Sequence, residues 1–336
     1  MALSPEQLGS LRAAKLRSIV TTRSGPGDRT GGSFPRGAAL LDATTAWVLI
    51  DEAGPRSLGG ALAWARRAGA DRAELVLSNT DASVAAGLAR RAAQCIRPVV
   101  VTTDEGTVVD AAPFPTVLDG PTEVDSLIDT IRVAGCEVVL ENGIVRGEWL
   151  GLEVCRIEGG ALDVGVGKSD REIARLTHGA MSASEAIGAV IAQIEDHRRA
   201  GAPFHPMRQL CRERWLRHQL VADPSLVGAS GLQPIETTIV RENLREDHPA
   251  LAIGRDAGGA PVLVVCTVGA DLDVVPLAED TRRARCPEAT MLIARPADVP
   301  LPASVVSVAD WYGIEPKVIS VAPPWGAPES SPPTAL

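Results

Sequence analysis

No stretch of this 336-residue chain stays apolar for the length of a membrane span, and its opening residues, MALSPEQLGS, lack the apolar core of a secretion signal. A protein that stays off the membrane, in the cytoplasm, is the expectation. Cysteine occurs six times, at 95, 136, 155, 211, 266 and 286, never as Cys-x-x-Cys and often inside apolar runs, so reduced core thiols are expected. The five histidines make no ligand spacing with one another or with cysteine, which argues against a structural zinc. Gly-x-Gly-x-x-Gly, a phosphate-loop lysine and a Gly-x-Ser-x-Gly elbow are all missing, so dinucleotide, P-loop and serine-hydrolase chemistries have no foothold. Positive charge is in deficit. Lys and Arg total 33 against 42 Asp and Glu, a net charge of -9, so any contact with nucleic acid has to come from a local patch.

What is present divides into stretches of different pattern. Residues 1–36 read as a short helix, capped by Ser4 with Pro5 at its first position, followed by a Gly-, Ser- and Pro-rich flexible linker. The polar face of that helix, Arg12, Lys15 and Arg17, is either solvated or a partner contact. Residues 37–120 alternate strand and helix: WVLI, LGGALAWARRAG, AELVLS, VAAGLARRAAQ and PVVVTT. This is the pattern of a Rossmann-like α/β half-domain with parallel strands. Asp51, Glu52 and Asn79 to Ser83 then fall on the edge where such sheets receive ligands. The arginine pairs Arg66–Arg67 and Arg90–Arg91 either join into a basic face or lay their stems over apolar surface.

Residues 121–200 contain a helix, TEVDSLIDTIRVAG, then three extended pieces, EVVLENG, GEWLGLEVCRI and ALDVGVG, and a further helix capped by Ser169 with Glu172 in a capping box. Glu148, Glu153 and Asp163, with Lys168 nearby, are the one group of carboxylates in a region suited to holding a hard metal ion. On an uninterrupted strand Asp163 and Lys168 would face opposite sides, and the other reading pairs Glu153 and Asp163 with Arg146, Arg156 or Arg171. Gly165 and Gly167 imply that something packs closely on this segment. In residues 201–321, PMRQLCRERWLRHQL reads as one helix carrying Arg208, Arg212, Arg214 and Arg217, a candidate phosphate-contacting face, over a buried Trp215 and Leu216. EATMLIARP and PKVISVA are further strands, with a helix around 305–311 between them. Asp271 and Asp273 follow a buried strand. Residues 322–336 form a Pro-rich tail expected to be disordered.

The segment 241–271 reads as an extended piece, PALAIGRD, a Gly258–Gly259 turn and a buried run, PVLVVCTV. With the preceding helix, the Asp223-Pro224-Ser225-Leu226 stretch and the Arg255-Asp256 turn, it resembles the C-terminal nuclease domain of the archaeal and actinobacterial mismatch-type endonucleases, a PD-(D/E)XK (restriction-endonuclease-like) fold. The resemblance implies a mixed sheet whose catalytic Asp falls near Leu251 and whose Glu-x-Lys falls on Val265 and Thr267. None of the three can ligate a divalent ion or position water. The expectation is therefore a mixed α/β protein, a non-catalytic nucleic-acid-binding or scaffold protein on a degenerate nuclease fold, with DNA, a protein partner or a second copy as its partner. No cofactor is expected. The alternative is a DNA endonuclease in which Glu153 and Asp163 hold Mg²⁺ or Mn²⁺ and Lys168 assists. The segment GLEVCRIEGGALDVGVGKSD also echoes PALAIGRDAGGAPVLVVCTVGAD, with Val166 over Val265 and Lys168 over Thr267, as an internal duplication would produce.

Overall fold

The computed structural model describes residues 4–177, 181–241 and 243–326. It is a mixed α/β structure with three sheets that falls into two compact units. The first comprises residues 1–115, 272–280 and 301–316, and the second 116–271, 281–300 and 317–336.

The first unit opens with α1 (Pro5–Ser24), capped as expected by Ser4, whose side chain takes the Gln7 N–H while Gln7 returns a bond to the Ser4 N–H. The expected linker is instead ordered chain. α1 runs to Ser24, and β1 (Arg29–Phe34) pairs antiparallel with β2 (Gly37–Asp42), which pairs antiparallel with β3 (Thr45–Asp51). The polar, glycine-rich composition reflects an edge strand, where the backbone ladder supplies the stability that side chains do not. From β3 the elements follow the expected alternation: α2 (Leu58–Arg67), β4 (Arg72–Ser78), α3 (Ala82–Ala92) and β5 (Val99–Thr103), with β3, β4 and β5 parallel. Leu16 and Val20 of α1 are buried on Leu40, Trp47, Leu49 and Val76 of the sheet.

In the second unit α4 (Asp125–Val133) leads into an antiparallel meander of β6 (Glu137–Glu141), β7 (Ile144–Trp149), β8 (Leu152–Glu158) and β9 (Ala161–Val164). GEWLGLEVCRI is thus two strands rather than one, because Leu150 and Gly151 both take the left-handed conformation. A Cβ on Gly151 would lie 2.3 to 2.5 Å from the Arg214–Trp215 backbone, so this turn seats directly on a neighbouring helix. α5 (Gly167–Thr177) starts two residues before the expected Ser169 cap, and Asp170, not Glu172, reaches back to the Val166 N–H at 2.7 Å. α6 (Ala183–Ile194) and α4 bury Ile131, Ile187, Val190 and Ile194 against Val145, Leu152, Val154 and Ile157 of the meander.

The expected helix 206–220 is also broken in two. α7 (Pro206–Gln209) ends at an extended Leu210, Cys211 adopts the left-handed region, and α8 (Arg212–Ala222) begins afresh. A second five-stranded sheet follows, from β10 (Ala229–Ile235), β11 (Ala250–Asp256) and β12 (Pro261–Cys266), through α9 (Val274–Arg285), to β13 (Thr290–Pro296), α10 (Ala303–Trp311) and β14 (Lys317–Val321). Its core takes Trp215, Leu216 and Leu220 from α8, and Trp325 from the stretch expected to be a disordered tail. Residues 327–336 lie outside the described residues.

The two five-stranded sheets repeat one plan. Each follows a helix, runs its strands in chain order, pairs the first three antiparallel and the last three parallel, and inserts a helix before each of its last two strands. The repetition therefore links 5–103 with 212–321. Both stretches of the echo, 151–170 and 249–271, form an antiparallel hairpin around their Gly-Gly turn, but they part after it, since β9 stops at Val164 and Lys168 lies in a helix whereas Val265 lies inside β12.

Candidate functional site

Glu153, Asp163, Lys168 and Arg214, separated in sequence, come together in the second unit. A cavity of about 920 Å³ is lined by Arg146 of β7, Glu153 and Arg156 of β8, Lys168 and Arg171 of α5, Arg214 of α8, and Arg241 and Arg245 of the loop between β10 and β11. Glu141 completes the charged lining, so among the described residues seven cationic side chains face two carboxylates. A smaller recess beside it, of about 380 Å³, has Asp163, Lys168 and Glu172 in its wall.

The glycines near Asp163 explain how α5 is brought in. Gly165 takes φ +138, and a Cβ there would stand 2.8 Å from the Arg171 N, so what packs on this segment is the first turn of α5 itself. That turn places Arg171 between two acids: its Nη1 lies 3.1 Å from Glu153 Oε1 and its Nε 3.2 Å from Asp163 Oδ2. Glu153 also receives Arg146, and Arg156 at 2.6 Å. The paired-carboxylate reading describes these two residues. Burial pushes the Glu153 carboxyl up, but Arg146 and Arg156 outweigh it and hold it below the usual range. Burial pushes Arg171 down, helped by repulsion from Arg156.

The arginines of the expected phosphate face have a different place. Arg214 donates to Glu148 at 2.8 Å and to Glu141 at 2.8 Å, and Arg217 donates to Glu148 at 2.7 Å. Arg208 gives its guanidinium to the carbonyls of Ala202 and Trp325. All three are buried, and Arg212 stacks 5.2 Å from the Trp325 ring. The exposed basic face is thus not formed, because α8 buries its apolar side on the second sheet and its arginine side on the meander's glutamates. Glu141 shows the strength of the pairing: burial raises its carboxyl, yet Arg214, Arg146 and Arg217 hold it at about 2.

Arg198 was not singled out by the sequence. It is buried, donates to the carbonyls of Met207, Leu210 and Leu150 at 3.0, 2.8 and 2.7 Å, and lies 4.4 Å over the Trp215 ring. It closes the break between α7 and α8, and burial pushes its guanidinium down to about 10. Arg241 is anchored by Glu213 at 3.2 Å and by the His248 carbonyl at 2.9 Å. Lys168 and Arg245 are exposed, and Lys168 has no ion pair among the described residues.

The remaining candidates are structural in their contacts. In the first unit Arg12 binds Asp51 at 2.8 Å, Lys15 binds Asp104, and Asn79 binds Asp51, so much of the polar face of α1 is tied to the sheet edge. Arg66 pairs with Asp310, Arg90 with Asp280, and Arg91 donates to the Pro55 carbonyl, which disperses the arginine pairs rather than joining them. Asp273 accepts the Gly59 N–H at 3.0 Å, and Asp271 is buried. All six cysteines are free, five of them buried. Among the described residues no three His, Cys, Asp or Glu side chains are grouped to hold a metal ion, and no helix is long and apolar enough to cross a membrane. No protein-family model, curated protein or solved structure matches the chain.

Proposed function

We propose that this chain is a non-catalytic binding protein for phosphate-bearing polymers, DNA in the first instance, built on two repeats of a nuclease-like sheet. The observation that carries the reading is a cavity whose seven cationic side chains, among the described residues, meet Glu141 and Glu153 and, behind the lining, Glu148, Asp163 and Glu213, while Lys168 and Arg245 stand exposed at it in a protein of net charge -9. Guanidinium groups match phosphate oxygens in pairs, and the buried acids Glu141 and Glu153 hold the inner arginines in place behind the exposed cations. Lys168 and Arg245, the exposed members, are the residues that reach phosphates first.

The nuclease-like reading draws support from the order and direction of the strands in both sheets and from one register. Leu251 and Val265, where the resemblance puts the catalytic Asp and Glu, are cross-strand partners. Both are fully buried, and Thr267 is nearly so. In the first sheet the same strand positions fall on Ala38 and Leu49, which also face each other and are also buried. The parallel strands β3, β4 and β5 are the part that reads as Rossmann-like, and β1 and β2 extend that part into the plan of the second sheet. Under the endonuclease alternative Glu153 and Asp163 would share Mg²⁺ or Mn²⁺, but these carboxylates already share Arg171, and the cationic surroundings oppose a dication.

The full chain incubated with single-stranded, duplex or branched DNA and Mg²⁺ or Mn²⁺ should retain the DNA without cutting it. Robust cleavage that disappears in Asp163→Ala overturns the reading and establishes the endonuclease.

A further inference from the structure

The first unit contains a cavity of its own, of about 740 Å³, where the end of β3 meets the length of α2 and the start of α10. One wall is aromatic and apolar, built from Phe34, Ile50 and Trp64. Gly32 lets the indole close on the backbone, since a Cβ there would stand 2.6 Å from Trp64 Nε1, and the Phe34 ring lies within ordinary contact reach of Gly60. The other wall is mostly cationic, with Glu52 an exposed carboxylate among its arginines. Arg36 and Arg67 are exposed there, and neither forms an ion pair among the described residues, whereas Arg66 is held by Asp310 at 2.9 Å. Asp273, at the base, is committed to the Gly59 N–H.

We propose that this cavity is a second binding site, for a small ligand of mononucleotide size that joins a planar ring to an anionic group. A ring laid against Phe34 and Trp64 gains dispersion and stacking, and the two unpaired guanidinium groups offer charge-assisted hydrogen bonds to an anion a short reach away. The volume lies inside the range of roughly 300 to 1,000 Å³ typical of small-molecule sites. Neither wall suffices alone, because an apolar ligand would leave the cations unpaired and an inorganic anion would leave the aromatic wall wet. The site shares no residue with the arginine-lined cavity of the second unit, so its occupancy stands or falls separately from polymer binding.

Isothermal titration calorimetry of the full chain with AMP as the probe tests this, with adenosine and inorganic phosphate as the two halves of the ligand. AMP should bind, and each half should bind at least about tenfold more weakly, as should AMP to the Arg36→Glu/Arg67→Glu variant and to Ala63→Phe, which fills the cavity from α2. The two arginines are exposed, so the double variant should melt with the wild type and carries the reading even if Ala63→Phe fails to fold. No binding of AMP up to about 5 mM, phosphate binding as tightly as AMP, or full affinity in the double variant would each overturn the proposal.

Discussion

Leu251 lies directly across from Val265 in the β11–β12 ladder, and neither exposes any of its side chain. Two carboxylates at these positions would be neighbours on adjacent strands, the arrangement a shared dication needs. The Leu251→Asp/Val265→Glu variant should therefore lose at least about 3 kcal/mol of stability in a metal-free urea titration, since it buries two like charges without partners. Mn²⁺ should restore part of that loss in the variant and leave the wild type unchanged. A variant indifferent to Mn²⁺ would remove the support that this register gives to the nuclease-like reading.

Acid should weaken the second unit through Glu141. Its carboxyl sits at about 2 in the fold against an ordinary value near 4.5, so it contributes stability above the unfolded value that is lost as pH falls through the folded one. The contribution is about 3.5 kcal/mol at most, since a tenfold change in proton affinity is worth about 1.4 kcal/mol. Urea midpoints of the wild type should fall between about pH 5 and pH 2, and Glu141→Gln, weaker at neutrality, should show a flatter acid limb. An identical limb in both proteins would assign the acid sensitivity elsewhere.

The arginines of α8 act as internal ties. Arg217→Glu would place a second carboxylate against Glu148 in a buried position and should cost at least about 3 kcal/mol. Gly151→Ala should cost at least about 2 kcal/mol, because its φ of +74 disfavours any side chain and the added methyl meets the α8 backbone. Thermal melts followed by circular dichroism would expose a tolerant Gly151→Ala and refute the close seating of that turn.

Much of this architecture is legible in the chain itself. Alternating apolar runs give β3, α2, β4, α3 and β5, and Ser4 with Pro5 announces α1. What escapes is whatever depends on distant partners. Arg208, Arg214 and Arg217 look like a solvent-facing stripe because the segment shows one apolar side, yet the acids that hold Arg214 and Arg217, Glu141 and Glu148, lie about seventy residues earlier, and Arg208 is held by the carbonyls of Ala202 and Trp325. Cys211 gives no local sign that the helix breaks there, and Arg198, which satisfies the carbonyls of that break, looks like an ordinary surface charge. The polar edge strand β1 hides for a related reason: its stability comes from backbone pairing with β2, which composition does not record. The site was half legible, since Glu153, Asp163 and Lys168 could be chosen by residue type while their arginine-dominated setting required the fold.

The most direct test of the account is a fluorescence anisotropy titration of labelled duplex DNA with the wild type and with Lys168→Glu/Arg245→Glu, at two salt concentrations. Both side chains are exposed, so the variant should keep the wild-type melting temperature. The account predicts that the wild type binds at about 50 mM salt, weakens as salt rises, and loses roughly 0.9 of logarithmic salt slope for each contact removed in the variant. A wild type that fails to bind at about 50 mM salt, or a variant that binds with undiminished affinity and slope, would contradict it.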